Sequence, residues 1–174
     1  MMNKGRLTIV ATFLFIIGCA SNLNWLNVPP SNDETFYAGG YATMPRQKES
    51  SQSAVLMARQ ELASQIETHI TALTKEAYEQ VGIGKDPEIN AIFSNAVKAT
   101  VDQSLAFSVP NIPSISKNVK NNQVRTEVVY KLDVGPVNQA MLDNIKERQM
   151  LYQRFRTGEL FNELEENIEK ERAN

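Results

Sequence analysis

One periodic segment constrains the fold of this chain more than any other feature. Val55, Ala58, Leu62, Ile66, Ile70, Leu73 and Ala77 recur at spacings of three and four. At 3.6 residues per turn they fall on one face of a long amphipathic helix, whose apolar stripe needs a partner layer. Ser50, Ser51 and Ser53 are suited to cap its start, and Gly82 and Gly84 supply its stop. Residues 88–107 repeat the logic. Ile89, Ile92, Phe93, Ala96, Val97, Thr100, Val101 and Leu105 form a second stripe, with Asp86 as cap and Pro87 at the first helical position.

The flanking segments read as strands. Residues 35–42 are short, aromatic and bounded by polar residues, and Gly39-Gly40 within them marks a bulge or the close approach of another element. A polar loop is expected over residues 45–53. Val109-Pro110 and Ile112-Pro113 break the second helix. Residues 114–120 and 123–133 then form a predicted hairpin about Asn121-Asn122, because Asn tolerates the positive φ of a tight turn. A two-residue loop would pair Val119 with Val124, Lys117 with Thr126 and Ile115 with Val128, and Tyr130 and Leu132 would continue that mostly apolar face. Ser116, Asn118, Arg125, Glu127 and Lys131 would occupy the solvent face. Prolines and lysines suit the first hairpin strand to an edge.

Gly135-Pro136 opens the last helical segment, with a patchy stripe of Val137, Met141, Ile145, Tyr152 and Phe155. Leu160, Phe161, Leu164 and Ile168 follow after Gly158, and the charge-dense residues 165–174 are expected to fray or project into solvent.

The N-terminus carries a different signal. Lys4 and Arg6 precede an uncharged, mostly apolar run over residues 7–17, which ends in Gly18 and the only cysteine, Cys19. Eleven residues are too few to span a bilayer, which takes about 20, and match the core of a signal peptide. The run resembles the lipobox of bacterial lipoproteins. That resemblance implies cleavage between Gly18 and Cys19, a diacylglyceryl thioether on Cys19, and an acylated amine. Two or more chains anchor durably where one does not. Removal of residues 1–18 takes away two of the 18 basic residues against 20 acidic ones, leaving a mature charge near −4. No basic excess of the kind nucleic-acid binding shows is present. With its one thiol lipidated the chain has no disulfide, so its fold rests on an apolar core. Residues 19–33, rich in Asn and Ser and containing Pro29-Pro30, read as a lipidated N-terminus and flexible tether. Trp25 and Leu26 suit either the lipid interface or packing on the domain.

Three motifs in order, Phe36-Tyr37-Ala38-Gly39-Gly40-Tyr41-Ala42, then Ala58-Arg59-Gln60-Glu61-Leu62-Ala63-Ser64-Gln65-Ile66, then Val129-Tyr130-Lys131-Leu132-Asp133, resemble the LPP20 lipoprotein family over residues 34–142. The resemblance implies an α+β domain with two long helices on a small antiparallel three-stranded sheet. Here a helical extension over residues 143–174 follows it. Related domains occur in a flagellar outer-membrane-ring protein and in the N-terminal part of a periplasmic translocation protein. The family's common Asp-Gly turn is replaced here by Asn121-Asn122. The resemblance implies no enzymatic activity and no cofactor beyond the covalent lipid.

Little catalytic chemistry is legible. His69 is the only histidine, on the face of the first long helix, and lacks the companions a metal site needs. No strained nucleophile turn is present. Gly82-x-Gly84-Lys85 lacks phosphate-loop spacing. Glu163, Glu165, Glu166, Glu169 and Glu171 read as a solvated helix face. Arg59 and Glu61 flank the apolar stripe and read either as a binding surface or, the favoured reading, as charges that serve packing or solubility, with Arg59 placed to meet a carboxylate or carbonyl. The expected function is a non-enzymatic binding or assembly module of the bacterial envelope, anchored in the outer membrane through Cys19, with the periplasmic side favoured over the cell surface. Ala20, in place of Asp after Cys19, underlies the outer-membrane expectation. The partner would be an unidentified envelope protein or the chain itself. The alternative is a structural subunit of a flagellar ring or sheath, self-associating through its C-terminal helix. In either case Phe155, Leu160, Phe161, Leu164 and Ile168 are the expected partner-binding residues.

Overall fold

The structure is a computed structural model that describes residues 26–173. The expectations for Gly18, Cys19, the signal segment and Trp25 lie outside the described residues. In chain order the elements are β1 (Thr35–Met44), α1 (Gln47–Gln80), α2 (Pro87–Ala106), β2 (Val109–Val119), β3 (Gln123–Asp133), α3 (Val134–Glu147), α4 (Gln149–Phe155) and α5 (Glu159–Ala173). The strands form one antiparallel sheet in the order β1-β3-β2. This is the expected α+β arrangement of two long helices with a small three-stranded sheet and a helical C-terminal extension.

Helix α1 organises everything else. Its 34 residues span about 51 Å at 1.5 Å per residue. The buried positions are Ser50, Ala54, Ala58, Leu62, Ile66, Ile70, Thr74 and Ala77. A spacing of four advances about 40° beyond a full turn, so this line winds around the helix. Its first half faces the sheet, where Ala54 and Ala58 cluster with Ala42 and Val128. Its second half joins the core shared with α2, α3 and α5. The serines expected as caps lie inside the helix, which starts two residues after Pro45 and uses Arg46 as N-cap without a side-chain hydrogen bond. The polar loop is thus mostly helix. Ser50 is buried there because its hydroxyl donates to the Ala42 carbonyl at 2.7 Å, and Thr74 likewise donates to Ile70 O. Gly82, at φ +68°, ends α1 as expected. Asp86 caps α2 by accepting the Glu88 and Ile89 N–H groups, with Pro87 following it.

The close approach foreseen at Gly39-Gly40 has two causes, one on each side of the strand. A Cβ on Gly40 would lie 2.0 Å from Ala54 O and 2.6 Å from Ala58 N, so the backbone of α1 rests on this glycine. A Cβ on Gly39 would lie 2.5 Å from the Val28 side chain on the opposite face.

The hairpin register is slipped by one residue from the expected pairing. Lys120, Asn121 and Asn122 form a three-residue 3₁₀ turn with φ of +63° and +54° at the two asparagines. Val119 therefore pairs with Gln123, Lys117 with Arg125 and Ile115 with Glu127. The expected register would have set Lys117 beside Thr126, which is fully buried on the α1 side, and desolvating an ammonium there is costly. The slip puts Ser116 there instead, and its hydroxyl lies 2.8 Å from Thr126 Oγ1. Strand β2 also starts earlier than expected, at Val109. Irregularities between Pro110 and Ile112 and between Ile112 and Ile115 absorb its prolines.

Helix α3 follows β3 directly, and its Val137, Met141 and Ile145 are buried as the stripe predicts, joined by Leu142. Thr100 meets Met141 and Gln103 meets Asn144, both at a separation of 41 residues, so α2 and α3 run in the same direction at this contact. The boundary expected at residues 142/143 falls inside α3.

Candidate functional site

The predicted partner-binding residues lie in or against the core. Phe155 and Phe161 are fully buried and Ile168 nearly so, while Leu160 and Leu164 pack half-buried against the same core. Phe155 stacks on Phe93 of α2 at 6.0 Å between centroids and meets Phe161 at 5.0 Å with the rings tilted by 53°. The Leu160 N–H donates to Gln80 Oε1, and Arg154 pairs with Asp86. The C-terminal extension is therefore folded back over the α1–α2 turn, and its apolar stripe is core. This corrects the expectation of a partner-binding helix after Phe155. The physical reason is that Tyr78, Phe93 and Ile83 supply an apolar surface within the chain, which the stripe covers. Of the two outcomes expected for the charge-dense end, projection into solvent holds, with Glu166, Asn167, Glu169 and Lys170 exposed on a continuous helix. Helix α5 continues to Ala173, and Lys146 of α3 pairs with Glu165 at 2.5 Å and Glu169 at 3.3 Å. The hydrogen bond to Glu165 raises the Lys146 pKa above its ordinary value; partial burial opposes this, and the charges of both glutamates reinforce it.

His69 is half-buried. Its Nε2 lies 2.7 Å from Asn138 Oδ1 and its ring meets Phe36 edge-on, so it knits α1 to α3 and β1. Among the described residues no group of three or more His, Cys, Asp or Glu is placed to hold a metal ion. Arg59 donates to the Leu105 carbonyl in the last turn of α2 at 3.0 Å, where the Ser108 hydroxyl also donates at 2.8 Å. The role of Arg59 is to cap a helix terminus, as the packing reading expected.

Two surfaces stand out among the described residues. One is the exposed side of α1. A shallow groove of about 400 Å³ runs between α1 and α2, lined by Glu67, Thr71, Phe93, Val97, Lys98 and Val101. On the other flank a shallow depression is lined by Phe36, Glu61, Ser64, Gln65, Thr68 and His69. Hydroxyls and both signs of charge over a broad shallow area suit a macromolecular partner better than an enclosed small molecule.

The second surface is the face of the sheet opposite α1, and here the expected flexible tether is docked over residues 26–33. The Asn32 side-chain carbonyl accepts the Glu34 and Thr35 N–H groups, and the Ser31 hydroxyl accepts the Tyr37 N–H at 2.8 Å. Gln65 donates to Tyr37 O. These contacts cover the first half of the free edge of β1. Upstream, Val28 crosses Gly39, and the Leu26 N–H donates to Glu127 Oε2 at 3.1 Å. Glu127 also accepts from Arg125 Nε at 2.9 Å, and the Arg125 guanidinium lies 4.4 Å from the centre of the Tyr41 ring. Glu127 was expected on a solvent face, yet it is only 4% exposed. The docked segment and the ion pair remove it from water, which a carboxylate tolerates when its oxygens are hydrogen-bonded. The sequence signal for this docking was the smallness of Gly39, which leaves room for Val28.

Fold and surfaces together define a small α+β domain with an ordered N-terminal strap across its sheet. No protein-family model, curated protein or solved structure matches the chain. Among the described residues no helix is long and apolar enough to cross a membrane.

Proposed function

We propose that this protein is an LPP20-like lipoprotein of the bacterial envelope, anchored in the outer membrane through lipid on Cys19 and acting as a non-enzymatic binding or assembly module. The observation that carries the reading is the N-terminal run: Lys4 and Arg6, eleven uncharged residues, then Gly18-Cys19. The arrangement of two long helices and a three-stranded antiparallel sheet agrees with it. Anchoring confines the domain to a surface and raises its effective concentration for partners there. The open side of α1, with its flanking grooves, is the surface left for an envelope protein. The C-terminal helix spends its apolar stripe on the core, which leaves that stripe no surface for self-association.

Metabolic labelling with a fatty-acid analogue tests the anchor. The wild type should take up label and partition with membranes. Cys19→Ser should do neither, because a hydroxyl does not replace the thiolate in lipid transfer. Equal labelling of the two would overturn the reading. Crosslinking in intact cells tests the binding role. A dominant foreign partner captured through Thr71 or Lys98 supports it, and a ladder of self-linked species alone would replace it with a homo-oligomeric scaffold.

A further inference from the structure

We infer that the face of the sheet opposite α1 lies against the phospholipid surface, and that the docked strap over residues 26–33 sets this orientation. The inference rests on the lipid anchor proposed at Cys19. Only seven residue steps separate Cys19 from Leu26, a reach of about 25 Å when fully extended. Leu26 is held at Glu127 on the outer face of the sheet. On the other side of that sheet, β1 touches α1 at Ala54. Gln80, at the far end of α1, lies 26 residues further along, or about 39 Å at the helical rise. While the strap is docked, the leash is too short to rest the far helical end on the bilayer, and the strap emerges on the sheet side.

The chemistry of that face agrees. In the observed register Val109, Ile112, Ile115 and Lys117 of β2 stand opposite Lys131, Val129, Glu127 and Arg125 of β3. The two irregularities in β2 keep the three apolar residues in step with this face although they are spaced by three. Val28, Tyr41 and Val109 are among the exposed large apolar residues, and tyrosine is enriched at membrane interfaces. The residues from 109 to 133 carry Lys117, Lys120, Arg125 and Lys131 against Glu127 and Asp133, whereas α5 is predominantly acidic. A basic hairpin faces an anionic headgroup layer favourably, within about a Debye length. The acidic helix and the open side of α1 are then left for proteins.

The test uses the full lipidated chain in vesicles of phosphatidylethanolamine and phosphatidylglycerol. Lipidation consumes the only native thiol, so Val109→Cys and Thr71→Cys each offer one site for an environment-sensitive fluorophore. Mass spectrometry of the purified protein reports the lipid independently. The expected result is strong quenching of the label at position 109 by headgroup-level spin-labelled lipids, and none at position 71. Adding Lys117→Glu and Lys120→Glu should reduce quenching at 109 while the lipid mass and folding are retained. Lipidated protein with equal quenching at both positions, or more at 71, overturns the orientation and leaves the anchor standing. Self-crosslinking through the thiol introduced at 109 without lipid quenching would assign the face to a second copy and overturn the inference. Absence of the lipid mass overturns the anchor and the orientation with it.

Discussion

The two ends of α1 solve the same problem by opposite means. At the sheet end the helix is buried through small residues, Ala54 and Ala58 against Ala42 and Gly40, with backbone resting on backbone. At the far end it is buried by large ones, where Tyr78, Phe93, Phe155 and Phe161 fill the space around the α1–α2 turn. Close approach leaves a site with no slack, because a backbone atom cannot rotate out of the way. Aromatic packing fills volume with side chains, so it loses stability by cavity formation in proportion to what is removed. The two ends thus hold two buried clusters, bridged by Tyr130, which packs against both.

The largest expected effect follows from the sheet end. Gly40→Val places a Cβ inside the van der Waals radius of Ala54 O and Ala58 N. The expected loss exceeds about 4 kcal/mol, in the range reserved for gross steric failure, and circular dichroism should show a largely unfolded chain at room temperature. A folded Gly40→Val protein would show that α1 can lift from the sheet. Phe161→Ala, at the far end, should cost about 3–5 kcal/mol as a buried aromatic truncation. Because the unbroken α1 and Tyr130 link the two clusters, near-ultraviolet and far-ultraviolet melting curves of this variant should still coincide. Separate transitions would divide the ends into independent units.

A smaller effect is expected at Asp86, which caps α2 and also meets Arg154. Asp86→Ala should lower stability by about 1 kcal/mol, and Arg154→Ala should cost less because that pair is exposed. The smallest effect concerns Lys146. Its folded pKa is raised above the ordinary 10.5, first by the hydrogen bond to Glu165. The stabilisation is therefore fully present below the unfolded value and is lost as pH rises through the folded one. The melting temperature of wild type minus that of Lys146→Gln should stay constant from about pH 6 to 9 and shrink above pH 10. A difference that instead grew with pH would remove the pair as the tie between α3 and α5.

Much of this fold was legible in the chain. The helix stripes were read correctly at Leu62, Ile66 and Ile70 and at Ala96, Val97 and Thr100, because period and amphipathicity are local properties. The Asp86-Pro87 start and the Gly82 stop were legible because caps are set by neighbouring atoms. The hairpin was placed but its register was not. A turn of two residues and one of three have nearly the same local signature, and the choice was made by burial of Thr126, which is set by α1. Glu127 and the strap over residues 26–33 were misread for a related reason. A carboxylate in an alternating strand and an Asn- and Ser-rich segment both look solvated until the fold brings Leu26, Arg125 and Tyr41 around them.

The C-terminal extension draws the same line most plainly. The sequence alone determined that Phe155, Phe161 and Ile168 lie on apolar stripes that need cover, because exposed apolar area is costly in water whatever the fold. What covers them was decided by the tertiary structure. The turn after α1 brings Tyr78 and Phe93 together, and α4 and α5 close over that surface. A stripe records the need for a partner, and only the folded chain shows whether the partner is its own core.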